Sequence, residues 1–401
     1  MLRIVPGRAA RSLGPVTGAT AAGPVLINLG CRTNAAEVDE VAGLLRDSSN
    51  VVVVNSCTVT SAADRDTRKA VHRARREHPG AALILMGCYV DAHPADRLGA
   101  DVVVPNRWKA AAPFAVDIPP PGARRSRYIL KVQDGCDNRC TFCIVWQTRG
   151  RSLSRVLPYL ESRARDAAAA GYRELVITGI DLGSYRGGLA PLVRRLLDAA
   201  APARIRLSSI DPSHVDAELC RLFADRRLCP HLHLPLQSGS DRVLARMRRR
   251  YDLATFERAV ESARSVRPEL ALTGDMMVGF PGESDDDFER TLEAVEKARF
   301  ADLHVFRFSP RPRTAAARYP DQVALAVARE RSRRLIELGR RLRAAYSRAW
   351  EGCKVGVIWD RVQGDRIRGL TENYLQVGMP AAGRRPGELE ELIWRTAFSA
   401  A

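Results

Sequence analysis

From Val25 onward the chain alternates short apolar runs with longer amphipathic stretches. The runs ValLeuIleAsnLeu at 25–29, ValValValValAsn at 51–55 and AlaLeuIleLeuMet at 82–86 have strand length, and their unbroken apolar character suits strands covered on both faces. Between the first two, Val38, Val41, Ala42 and Leu45 recur at helical spacing, and a second helix is expected over 61–77. Strands alternating with helices predict a parallel sheet. The same alternation resumes at Tyr128, with strands expected at 128–132, 174–178, 204–208, 231–234, 271–278 and 302–306. Repeated βα units of this kind predict a barrel, complete or partial. A long basic helix is expected over 323–348, and after it come the short strand-like segments ValGlyValIleTrp, ArgIleArgGlyLeuThr, TyrLeuGlnVal and GluLeuIleTrp. That change of period predicts a small β-barrel appendage.

These shifts divide the 401 residues into a flexible tail at 1–24, an N-terminal α/β domain at 25–115 and a Pro- and Arg-rich linker at 116–127. A central domain at 128–350 and a β appendage at 351–401 follow.

The cysteines fall at particular places in this pattern. Cys31, Cys57 and Cys88 each lie just past the carboxyl end of one of the first three strands. In a parallel sheet those ends share one edge, so the three thiols converge and predict a three-thiolate cluster. Cys136, Cys140 and Cys143 form a second set, Cx3CxxC, on a loop after the strand at 128–132 and before a helical run expected from Arg149 to Arg155. A cubane 4Fe-4S cluster takes four ligands. Three thiolates leave one iron open to a small molecule, as catalytic zinc sites keep an open position. A zinc loop uses the same residue types, so a non-catalytic zinc protein that binds nucleic acid is the alternative from another class. Cys220, Cys229 and Cys353 fit no cluster spacing, and His72, His78, His93, His214, His231 and His304 fit no ligand pattern.

Charge adds a partner. Lys and Arg total 63 against 46 Asp and Glu, a net charge of +17, which favours a polyanion such as RNA. An arginine-biased composition accounts for part of that excess, since lysine occurs only at Lys69, Lys109, Lys131, Lys297 and Lys354. Nine cysteines without an apolar leader argue for a reducing compartment, the cytoplasm. No run of ~18 uninterrupted apolar residues predicts a membrane span.

Several segments together resemble the radical S-adenosylmethionine methylthiotransferases over residues 25–380. They are AsnLeuGlyCysArgThrAsn at 28–34, AsnSerCysThrValThr at 55–60, GlyCysTyr at 87–89 and ValGlnAspGlyCysAspAsnArgCysThrPheCysIleVal at 132–145. ThrGlyIleAspLeuGlySerTyr at 178–185, ArgLeuSerSerIleAspPro at 206–212, HisLeuHisLeuProLeuGlnSerGlySerAsp at 231–241 and ValGlyPheProGlyGlu at 278–283 continue the match. The resemblance implies an N-terminal parallel-sheet methylthiotransferase domain, a radical-SAM TIM-like barrel and a TRAM-like RNA-binding barrel.

It further implies two 4Fe-4S clusters and S-adenosylmethionine as cofactors, with a reducing electron donor, a sulfur donor and tRNA as partners. Cys136, Cys140 and Cys143 would hold the catalytic cluster, and Cys31, Cys57 and Cys88 the auxiliary one. Phe142, Thr178, Gly179, Ser209, Asp211, His233 and Gln237 are the candidate cofactor contacts. Within the family, 28–34, 206–212 and GlyLeuThrGluAsnTyrLeuGlnVal at 369–377 look most like the type that methylthiolates C2 of N6-threonylcarbamoyladenosine beside the tRNA anticodon. The types acting on isopentenyladenosine or on a ribosomal-protein aspartate share its cluster motifs. Trp146 departs from the family's usual proline, and the stretch 381–387 shortens the last barrel.

Overall fold

The structure is a computed structural model that describes residues 4–6, 23–107 and 125–399. Its N-terminal unit is a parallel sheet in the order β1 (Ile4–Pro6), β2 (Val25–Asn28), β3 (Val51–Ser56), β4 (Ala82–Gly87), β5 (Val102–Val104). Ile4–Pro6, inside the stretch expected to be a flexible tail, therefore forms the edge strand; residues 7–22 lie outside the described residues. Helices α1 (Arg32–Leu44), α2 (Ser61–Glu77) and α3 (Cys88–Ala92) connect the strands. Val52, Val54, Leu83 and Leu85 pack on Val71 and Ala74 of α2, while Leu26 and Val53 pack on Val38 and Ala42 of α1. Both sheet faces are covered, which is why these strands carry no polar alternation.

The central unit opens with β6 (Tyr128–Lys131). A short antiparallel pair, β7 (Gln133–Asp134) with β8 (Leu153–Ser154), then brackets the second cysteine loop and helix α4 (Val145–Arg149). The helical run expected from Arg149 to Arg155 is not formed: α4 ends at Arg149, Gly150 turns the chain at φ 76°, and the next helix starts at Leu157. β9 (Glu174–Thr178), β10 (Arg204–Leu207), β11 (His231–His233), β12 (Ala271–Val278) and β13 (Asp302–Arg307) complete the unit. Single bridges, Ile205 to Leu228 and Ser209 to His233, join the two three-stranded sheets into one parallel series in chain order, a partial barrel. Beside β6, α1 packs Ala35 and Ala36 on Ile129.

Alternation along these strands separates two environments. Leu175, Ile177, Ile205, Leu207, Leu232 and Leu272 join the large apolar core outside the strands. Glu174, Arg204, Arg206, His231, His233, Thr273 and Asp275 occupy the other, inward register. Buried charges there need partners. Glu174 accepts from Arg127 at 2.8 Å, Arg204 at 2.6 Å and Arg206 at 2.7 Å, and the three guanidinium charges hold its carboxyl well below the usual range despite burial.

The C-terminal unit is an antiparallel sheet of β14 (Lys354–Gln363), β15 (Arg366–Thr371), β16 (Gln376–Pro380) and β17 (Leu389–Ile393), in the order β16-β15-β14-β17. Ser399 bridges back to Val377. The unit caps the floor of the barrel: Arg206 donates to Thr371 O at 2.9 Å and Arg204 to Gly356 O at 2.9 Å. Arg127, expected in the linker, instead sits at this joint between Glu174 and Asp360. Tyr374, at φ 69°, stacks on His231 at 4.2 Å. Arg366 and Arg368 remain exposed.

Candidate active site

The first cysteine triplet forms because three βα turns end at one sheet edge. Cys31 precedes α1, Cys57 follows β3, and Cys88 opens α3. Gly87, at φ 99°, makes the last turn possible, since a Cβ there would lie 2.4 Å from Asn55 Oδ1 and Ser56 O. The Cys57 thiol is pushed up to about 12, first by burial and then by Cys88 and Cys31. Cys31 Sγ donates to Asn34 Oδ1 at 3.2 Å, and Asn106 Nδ2 approaches Cys88 Sγ at 3.9 Å.

The second triplet rides on the loop between β7 and α4. Gly135, at φ 74°, lets the loop pass Arg151 O, where a Cβ would come within 1.9 Å. Burial pushes Cys136 up to about 12 and Cys143 up to about 11, with neighbouring thiols adding to both. Cys136 Sγ lies 3.8 Å from Asp181 Oδ2, which also accepts from Asn138 Nδ2 at 3.2 Å. Arg249 donates to Cys140 Sγ at 3.2 Å and to Asp211 Oδ2 at 2.7 Å. The basic run at 246–251 is thus folded onto the cysteine loop, with Arg250 on Asp137 O as well.

A buried ion network ties the two loops together. Arg149 donates to Asn34 Oδ1 at 2.8 Å, to Glu37 Oε1 at 2.7 Å and to Asp134 Oδ1 at 2.9 Å. Lys131 completes it with Glu37 at 2.8 Å and Asp134 at 2.6 Å. Asn106 adds a bond to Thr148 O at 2.9 Å, and Arg311 reaches Asp64 at 2.6 Å from the far side. The two triplets therefore share one rigid joint.

The other expected cofactor contacts spread around the barrel mouth. Asp211 joins the Arg249 and Cys140 group. Ser209 and His233 pair across the strand junction. Thr178 ends β9, and Gly179 passes so close to Gln133 that a Cβ would lie 2.8 Å from its Oε1. Gln237 holds φ 66° with a buried Oε1 that has no partner among the described residues. Phe142 packs edge-on against Phe280 at 6.4 Å, beside the cysteines rather than among the polar groups. Spacing does not single out Asp181, Arg249 and Asn106, which reach Cys136, Cys140 and Cys88 across the fold, or Arg149, which reaches Asn34 beside Cys31. His304, which fits no ligand spacing in the sequence, joins His233 and Asp275.

These features fit metal clusters. Burial keeps the protons on Cys57, Cys136 and Cys143, and a bound metal would replace them. Ser208 Oγ, Gln237 Oε1 and Asn138 Oδ1 are buried acceptors and donors awaiting a ligand's polar groups.

Comparison with known proteins decides the family. The Radical SAM superfamily matches residues 130–295, and Uncharacterized protein family UPF0004 matches residues 25–104. The threonylcarbamoyladenosine tRNA methylthiotransferase MtaB of Thermotoga maritima is 35% identical over 90% of this chain and 92% of its own. The chain belongs to the radical S-adenosylmethionine methylthiotransferases. Another member of that family, the MtaB protein of Bacillus subtilis, is 33% identical over 87% of this chain and 88% of its own. A tRNA-2-methylthio-N(6)-dimethylallyladenosine synthase from Anaeromyxobacter sp. is 33% identical over 94% and 93%. Among solved structures, the radical S-adenosylmethionine methyltransferase TsrM from Kitasatospora setae superposes with a TM-score of 0.53 at 15% identity, covering 71% of this chain and 68% of that one. That likeness concerns the fold alone. Methylthiotransferases of this family use S-adenosylmethionine and two 4Fe-4S clusters. No helix among the described residues is long and apolar enough to cross a membrane.

Proposed function

We propose that this enzyme replaces the hydrogen at C2 of N6-threonylcarbamoyladenosine, beside the anticodon of tRNA, with a methylthio group. The observation that carries the reading is the joint at Arg149, which ties one open three-thiol site to another. A single cluster would suffice for a radical; a second is needed where sulfur must be delivered. Similarity to the MtaB proteins supports the choice of nucleoside.

In this reading Cys136, Cys140 and Cys143 hold the catalytic cluster, and Cys31, Cys57 and Cys88 hold the auxiliary cluster. Bound there, the clusters and S-adenosylmethionine supply reductive cleavage, sulfur and the methyl group. The chain's own residues do the positioning. Arg249 fixes Cys140 against Asp211, and Asn138 orients Asp181 beside Cys136. Gln133 locks the turn after β9 by accepting from Ile180 N and Asp181 N, both at 2.9 Å, which presents Thr178 and Gly179 to the cofactor's amino end. Gln237 and Ser209 face the same mouth as polar contacts, with His233 beside them, and Phe142 shields the loop from water. Arg366 and Arg368 serve tRNA phosphates on the exposed sheet. An external electron donor and sulfur donor complete the reaction, in the cytoplasm where tRNA matures.

The Anaeromyxobacter relative favours dimethylallyladenosine as the second reading. Mass spectrometry of tRNA nucleosides from a deletion strain separates them. Loss of the methylthiolated threonylcarbamoyl nucleoside, restored by the gene, is expected; loss of the methylthiolated dimethylallyl nucleoside instead would overturn the assignment.

A further inference from the structure

Among the described residues, a charged group beside the auxiliary cysteines is left without a partner. Arg32 follows Cys31 at the start of α1, is half-buried, and makes no hydrogen bond or ion pair with any described residue. Other arginines of this region each have an ion-pair partner: Arg125 with Asp39, Arg149 with Glu37, Arg155 with Glu40. A guanidinium taken partly out of water without an anion is poised to take one from a ligand, and its planar fork suits a carboxylate.

The wall it addresses lies inside the barrel. α1 packs against β6, with Ala35 and Ala36 on Ile129, which puts the start of the helix at the barrel opening. The positive charge of Arg32 is felt at His231 and His304, where it acts to lower both. β12 and β13 set Asp275 opposite His304, and Asp275 lies 3.3 Å from His233 and 3.2 Å from His304. The hydrogen bond to Asp275 raises His304 above its ordinary value against burial, which favours its charged form on this wall. The ligating atoms of the three residues lie within 4.8 Å of one another, as a divalent ion would need, but the positive charge of Arg32 opposes a cation there.

We propose that Arg32, assisted by His304, binds the carboxylate of the threonyl arm and so selects an N6-threonylcarbamoyl nucleoside over one with an uncharged N6 substituent. The inference rests on the nucleoside assigned above. Chemistry favours the placement: the arm hangs from N6 through a carbonyl, and its N–H folds back onto N1, the ring nitrogen next to C2. A residue adjacent to a sulfur-side cysteine therefore stands on the edge of the base that carries the arm.

The test is a cycle read by binding rather than by turnover. Fluorescence anisotropy would measure the cluster-loaded protein, wild type and Arg32→Gln, against anticodon stem-loops bearing either the threonylcarbamoyl group or its neutral threoninamide. Losing a charge-assisted pair should weaken binding about tenfold or more for either change alone, and the two changes together should cost no more than one. Iron content checks that the variant keeps both clusters; if it does not, the wild-type comparison of acid against amide decides alone. Equal binding of acid and amide by the wild type, or independent additive penalties, would overturn the inference. A stem-loop with a dimethylallyl group is the separate arm: if wild type prefers it, the assigned nucleoside is wrong, whatever Arg32 does.

Discussion

Arg149 Nη2 donates to Asn34 Oδ1 at 2.8 Å, and the same oxygen accepts from the Cys31 thiol at 3.2 Å. A helix that follows one cysteine loop thereby holds the helix that follows the first cysteine of the other. Arg149 is fully buried between Glu37 and Asp134, so Arg149→Met removes one of the two cations, Arg149 and Lys131, that these carboxylates share. Breaking one partner of a buried network costs about 3–5 kcal/mol. Urea unfolding of the cluster-free variant should show that loss; a change below about 1 kcal/mol would mean the joint is not structural.

The two triplets divide the labour. Cys140→Ala should abolish cleavage of S-adenosylmethionine to 5′-deoxyadenosine, whereas Cys57→Ala should retain cleavage and lose methylthiolation. Chromatographic assay of deoxyadenosine alongside the modified nucleoside reads both. Equal loss of cleavage in the two variants would contradict the assignment.

Thiol burial makes the cluster-free protein sensitive to alkali. An unfolded cysteine titrates near ~8.5, whereas folding raises Cys57 and Cys136 to about 12 and Cys143 to about 11. The folded chain keeps protons that the unfolded chain releases, so this stability is intact below about pH 8.5 and is lost as pH climbs toward the folded values. The melting temperature should fall between pH ~7.5 and ~9.5, and less steeply when the three cysteines are replaced by serine. Parallel slopes in the two proteins would count against it.

Much of this site can be read before any coordinates. Cys31, Cys57 and Cys88 are far apart in the chain, but strand period and length place them at one sheet edge, and local spacing alone groups Cys136, Cys140 and Cys143. What spacing does not reveal are the residues that serve the cysteines from elsewhere. Arg149 closes a short helix yet pairs with Glu37, a long-range contact with no periodic trace. Tyr374 has the composition of an RNA-facing aromatic, and only its backbone at φ 69° and the stack on His231 show that it seals the barrel floor. The expected helix after Arg149 failed for a local reason, because Gly150 and the β7–β8 pair compete successfully for those residues.

Two open three-cysteine sites in one chain build a methylthio group onto a tRNA adenosine. The most direct measurement incubates the anaerobically reconstituted protein, S-adenosylmethionine, a reductant and sulfide with tRNA that carries N6-threonylcarbamoyladenosine, followed by nucleoside mass spectrometry. The expected product is heavier by one methylthio group less one hydrogen, with one 5′-deoxyadenosine formed per modification. Unchanged nucleoside from protein that holds both clusters and cleaves S-adenosylmethionine would contradict it.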